Sequence, residues 1–177
     1  MIEERTIKVY EYNDLNKKAK EKALNWFIEN NEYTYLKEDL IEELKHVLGK
    51  NKIGFDESLK IYYSFSYSQG DGFCFEGDFE YKDYQINIKH NGHYYHKNSV
   101  NIEMINEAGE SVEEDIENFT EMSNTNEEFE IIFNDICDQL EKIGYSYIES
   151  ENSEENFRDW SIANDYKFLE DGSFWKF

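Results

Sequence analysis

Between residues 61 and 81 the side chains alternate with a period of two, and this pattern limits the fold more than any other. Ile61, Tyr63, Phe65 and Tyr67 fall on one parity, with Ser64, Ser66 and Ser68 on the other. After Ser68-Gln69-Gly70-Asp71-Gly72, the residues Phe73, Phe75, Phe79 and Tyr81 share one face, and Cys74, Glu76, Asp78 and Glu80 share the opposite one. A period of two belongs to a half-buried strand with one face on a core and one in water. The glycines at 70 and 72 and the Asp-Gly pair predict a hairpin turn between the two runs. Tyr84, Ile86 and Ile88 extend the alternation to a second turn at Asn91-Gly92, after which Val100, Ile102 and Met104 line a fourth strand. The expected class is therefore α+β: an antiparallel β-meander of four or more strands over 59–104, with helices packed on one face.

The flanks read as helices within a single domain, 1–177. Residues 6–12 alternate as a short first strand. A helix over 16–30 has Asn16 as N-cap and Ala19, Ala23, Trp26 and Phe27 as its apolar stripe. Lys17, Lys18, Lys20 and Lys22 give it a basic face, either solvated or in contact with a phosphate or an acidic partner. A second helix over 33–48 carries Leu36, Leu40, Leu44 and Val47, with Gly49 as its stop. Residues 106–124 form an acidic connection with few apolar anchors, a surface loop or turn of helix. Thr125 and Glu128 make a capping box for a helix over 125–143, whose stripe is Phe129, Ile132, Phe133, Ile136, Cys137, Leu140 and Ile143. Glu127, Glu130, Asp138 and Glu141 fall outside that stripe and should face solvent. Ser153 caps a short helix over 153–163, and a terminal hairpin over 166–177 turns at Glu170-Asp171-Gly172.

Charge decides which partners are compatible. The net charge is −22, and fourteen acidic residues but no Lys or Arg lie between Lys97 and Lys142. Such a surface repels nucleic acid and anionic membranes and attracts basic proteins. No apolar run is long enough to span a bilayer, the N-terminus lacks the layout of a signal peptide, and two cysteines make no disulfide framework. A cytoplasmic setting is expected.

Three groupings could carry chemistry. His90, His93, His96 and Cys74 have ligand-type side chains, but their spacing matches no zinc site, so no metal is expected. Glu76, Asp78 and Glu80 repeat on one strand face about 6.8 Å apart, on the wet side, where nothing raises a carboxyl pKa for acid–base work. The turn at 68–72 lacks the lysine and following helix of a P-loop. It is an ordinary turn or, with the second turn, a ligand lip of Ser68, Gln69, Asp71, Tyr94 and His96. No nucleophile elbow is present, and neither an enzyme nor a cofactor is expected.

Four stretches then carry a resemblance. Tyr12-Asn13-Asp14-Leu15 followed by Ala19-Lys20-Glu21-Lys22-Ala23, the run from Tyr63 through Ser68-Gln69-Gly70-Asp71-Gly72 to Phe75, His90-Asn91-Gly92-His93-Tyr94-Tyr95-His96, and Ala163-Asn164-Asp165-Tyr166-Lys167-Phe168 resemble, in the same order, a family of small bacteriophage-encoded proteins, some of them labelled antitoxin-like. The resemblance implies a phage accessory protein acting in the host cytoplasm. With the charge, it points to an inhibitor of host antiviral defence, of the anti-CRISPR kind, that mimics nucleic acid. Its expected partner is a host defence protein with a basic nucleic-acid-binding surface, with no direct binding to nucleic acid or membrane. The expected contact residues are Glu107, Glu110, Glu113, Glu114, Asp115, Glu117, Glu127 and Glu130. The alternatives are a sponge for a nucleotide signal, using the aromatic turns, and an antitoxin.

Overall fold

The computed structural model describes residues 6–106 and 116–176, the side chains of 105, 106 and 116–119 excepted. In chain order its elements are α1 (Lys17–Asn30), α2 (Leu36–Lys50), β1 (Gly54–Phe55), β2 (Lys60–Ser64), β3 (Gly72–Tyr81), β4 (Tyr84–His90), β5 (Val100–Asn106), α3 (Ile116–Glu151), α4 (Glu154–Ala163), β6 (Lys167–Phe168) and β7 (Phe174–Trp175). The fold is α+β with an antiparallel five-stranded sheet, as the alternation predicts. The chain groups into two compact units, one of residues 1–34 with 146–177 and one of residues 35–145.

The larger unit is built on β3. This strand pairs with β4 along 77–81, with β2 along 72–76 and with β1 at 79–80, while β4 pairs with β5 over its whole length. Phe73, Phe75, Phe79 and Tyr81 all point into the core, so the register follows the sequence pattern. Phe75 packs on Phe133 of α3 at 4.8 Å between ring centroids, and Tyr81 on Phe129 at 5.6 Å. Leu40, Leu44 and Leu48 of α2 are fully buried, and the Gln139 amide of α3 reaches Glu43 of α2. Each such side chain contributes about 1.5–3 kcal/mol on burial. Tyr63 and Ile132, expected in the core, are half-buried.

Several expectations need correction here. Cys74 is not on a wet face but fully buried. Tyr62 stands opposite it in register, its ring stacked on His90 at 4.0 Å, so an aromatic pair covers this end of the outer sheet face. Gly49 does not stop α2, which runs to Lys50. The capping box at Thr125 does not form. Thr125 is buried inside α3, which begins at Ile116 and continues through Gly144 to Glu151, so 116–124 is helix rather than loop. Gly144 lies inside α3 and marks a close approach: a Cβ there would meet the Phe65 ring.

The smaller unit has its own core of Tyr12, Leu15, Ala19, Ala23, Phe27, Phe157 and Phe168. Asn16 caps α1, its side chain accepting from the Ala19 N–H at 3.0 Å, and Ser153 caps α4 by accepting from the Asn156 N–H. Of the expected first strand, the described residues form one bridge, Tyr10 to Phe168. The chain then coils into a 3₁₀ turn, Tyr12–Asp14, because the Asp14 and Leu15 N–H groups bond back to the Glu11 and Tyr12 carbonyls. The terminal hairpin, β6 with β7, forms where expected.

Candidate functional site

The turn between β2 and β3 is larger than an Asp-Gly hairpin. Seven residues, 65–71, separate Ser64 from its register partner Gly72. The alternation ends inside this loop: Phe65 is buried, whereas Tyr67 is exposed with φ at +58°. Asp71 closes the loop. Its carboxylate accepts from the hydroxyls of Ser64 at 2.7 Å, Ser68 at 2.9 Å and Ser66 at 3.2 Å, and from the Ser68 N–H at 2.9 Å. Burial opposes ionisation of Asp71, but the Ser68 N–H and the Ser64 and Ser68 hydroxyls outweigh it and lower its pKa to about 2. The alternating serines thus donate to one ionised carboxylate, whose charge opposes a phosphate at this turn.

The second turn lies against the first. The Tyr95 N–H donates to the Gly70 carbonyl at 2.9 Å, the Tyr94 ring lies over Gly70, and His96 abuts Gly72. The expected lip is therefore contiguous, with Tyr94 and His96 stacked at 5.5 Å and Gln69 exposed beside them. Both histidines have defined tautomers. His90 accepts the Gly92 N–H at Nδ1 and places Nε2 2.7 Å from the Tyr94 carbonyl, so it is the Nε2–H form. His96 accepts the Asn98 N–H at Nδ1. Among the described residues no group of three or more His, Cys, Asp or Glu could hold a metal ion.

Beneath the second turn, Glu76 accepts from the Tyr62 hydroxyl at 2.8 Å, from Lys60 at 3.1 Å and from the His90 N–H at 3.1 Å. Burial raises its pKa, but these three donors prevail and the net shift is downward. Glu141 shifts the other way, raised first by burial and then by the neighbouring Asp138 carboxylate. Burial pushes the Cys74 thiol up to about 12 and the Cys137 thiol well above its ordinary value, so neither is a ready nucleophile.

The expected acidic contact surface divides three ways. Glu107, Glu110, Glu113, Glu114 and Asp115 lie outside the described residues. Glu117 is in the first turn of α3, its side chain not among the described ones. Glu127 and Glu130 are exposed, and so is Asp135, which sequence reasoning did not single out. Asp138 and Glu141, expected in solvent, are only half exposed. Asp138 binds Lys97 at 2.6 Å, and Glu141 lies beside Gly72, because the second turn folds over this stretch of α3. Glu128 accepts from the Tyr81 hydroxyl and from Lys82. Asp78, Glu80 and Glu103 are exposed on the outer sheet face. The larger unit holds nine basic and twenty-five acidic residues, so it carries −16 of the chain's −22.

No protein-family model, curated protein or solved structure matches this chain. Among the described residues no helix is long and apolar enough to cross a membrane.

Proposed function

We propose that the chain is a phage-encoded, non-enzymatic inhibitor that binds a host antiviral defence protein and competes with nucleic acid for its basic groove. The supporting observation is the outer face of α3. Glu127, Glu130 and Asp135 stand exposed along about 12 Å of helix, in a unit whose net charge is −16. Helical carboxylates held at fixed intervals meet a basic groove with long-range attraction, which speeds association and weakens as salt rises. The acidic residues Glu107–Glu117 extend the same run in sequence, and the phage-family resemblance supplies the setting.

The test replaces Glu127 and Glu130 with Gln and Asp135 with Asn together, leaving the buried stripe of α3 untouched. The parent chain, used as bait in host lysate, should capture a nucleic-acid-binding protein identified by mass spectrometry. The triple variant should bind that protein about tenfold more weakly, in line with three partly screened charge pairs. Undiminished, salt-insensitive inhibition by this variant, and by one changed at Glu113, Glu114, Asp115 and Glu117, would sink the proposal.

A further inference from the structure

In the smaller unit, a hollow of about 380 Å³ opens between α1 and the terminal hairpin, lined by Lys22, Trp26, Gly172, Ser173, Phe174 and Lys176. Its volume lies within the ~300–1,000 Å³ typical of small-molecule sites. Its lining is unlike the rest of the chain. Of a sequence with 40 acidic residues, none lines this hollow among the described residues, while two of its six lining residues are lysines.

The shape follows from the sequence at both walls. Lys18, Lys22 and Trp26 recur every four residues and so lie along one ridge of α1. The hairpin is seated directly on that helix. Gly172 has φ +86°, and a Cβ there would meet the Ala19 carbonyl oxygen, so only glycine permits this approach. Asp171 then fixes Lys22, accepting from its ammonium at 2.6 Å, and the Ser173 hydroxyl oxygen takes a second bond from Lys22 at 2.7 Å. The apolar wall is equally fixed. The Trp26 indole lies parallel to the Phe174 ring at 4.2 Å and 14°, and Tyr166 backs Phe174 at 4.6 Å. Because the Trp26 and Phe174 rings cover each other's facing sides, the wall is the outer side of the stacked pair, and with Lys22 and Lys176 beside it the hollow suits a flat ring that carries an anion.

We propose that this hollow binds a nucleoside monophosphate, its base against Trp26 and its phosphate between Lys22 and Lys176. The site is separate from the acidic surface of α3 and stands or falls independently of it. Lys176 is exposed, so removing its charge leaves the core intact. Asp171 stands next to the phosphate position and holds Lys22 back from it, so its carboxylate limits affinity.

The experiment titrates the full chain with AMP, following tryptophan fluorescence and calorimetric heat, with adenosine and inorganic phosphate as separate arms. AMP should give a saturable change, and each fragment should bind at least about tenfold more weakly. Lys176→Gln should weaken AMP several-fold without altering the melting temperature, and Asp171→Asn should strengthen it. In Trp26→Phe, which keeps a ring in the wall, the fluorescence change should shrink to what Trp160 and Trp175 report. No saturable response to millimolar AMP would overturn the proposal. So would equal affinity in Lys176→Gln, phosphate alone binding as well as AMP, or a fluorescence change of undiminished size in Trp26→Phe.

Discussion

Asp71 shows how one side chain can settle a loop. Three hydroxyls and a backbone N–H converge on its carboxylate, so Asp71→Ala should cost about 1–2 kcal/mol, while Asp71→Asn, which keeps an acceptor, should cost less. The pH dependence has a definite sign. The folded pKa of about 2 lies below the ordinary carboxylate value, so this contribution is present above about pH 4 and is lost as pH falls through about 2. Urea unfolding at neutral pH and near pH 3 checks both statements. The gap between parent and alanine variant should narrow on acidification; a constant gap would mean that the hydrogen bonds do not depend on the charge. The three serines are visible in the sequence as the polar parity of a strand. Their convergence on Asp71 is not, because it needs a loop that breaks the strand at Phe65.

At the scale of elements, α3 inverts an ordinary rule. Replacing glycine by alanine inside a helix normally stabilises it by up to about 1 kcal/mol. At Gly144 the added methyl would meet the Phe65 ring, which is itself buried and packed against Tyr63 and Tyr145 at 5.4 and 5.1 Å. Gly144→Ala should therefore destabilise the protein by about 1–3 kcal/mol, the cost of overpacking. Double replacement with Phe65→Leu should recover much of the loss. A melting temperature raised by the single change would show that the ring yields freely. From sequence, Gly144 can be read as ending the helix or as only weakening it, because the residue that requires it is 79 positions away. The capping box at Thr125 fails for a related reason: Thr125 is buried within a longer helix, and Glu128 is engaged by Tyr81 and Lys82 instead.

For the whole molecule, −22 on 177 residues sets two responses to salt with opposite signs. Self-repulsion destabilises the folded chain, and added salt screens it. Raising NaCl from about 0.02 M to about 0.3 M shortens the Debye length from roughly 20 Å to roughly 6 Å, and should raise the melting temperature by roughly 2–4 °C. The same change should weaken capture of a basic partner. A melting temperature that falls with salt would mean that the ion pairs, such as Lys97 with Asp138, outweigh the repulsion. Most of the charge lies in the unit of residues 35–145, whereas Lys22 and Lys176 line a hollow in the other, so the net charge of the whole chain does not describe that hollow.

Short-range pattern determined much of this protein. Alternation from Ile61 to Met104 specified the antiparallel sheet and its buried face, because a strand's side-chain period is a local property of the backbone. Asn16 and Ser153 specified two helix starts for the same kind of reason, each bonding an N–H three residues on. Tertiary structure decided what depends on distant partners. It buried Cys74 on the face expected to be wet, partly covered Asp138 and Glu141, and bonded the second turn to the first through the Tyr95 N–H and the Gly70 carbonyl. It also set Gly172 on Ala19 to open the hollow beside Trp26. In each case the partners are far apart in sequence, and no local pattern carries the position of a contact that chain folding alone brings together.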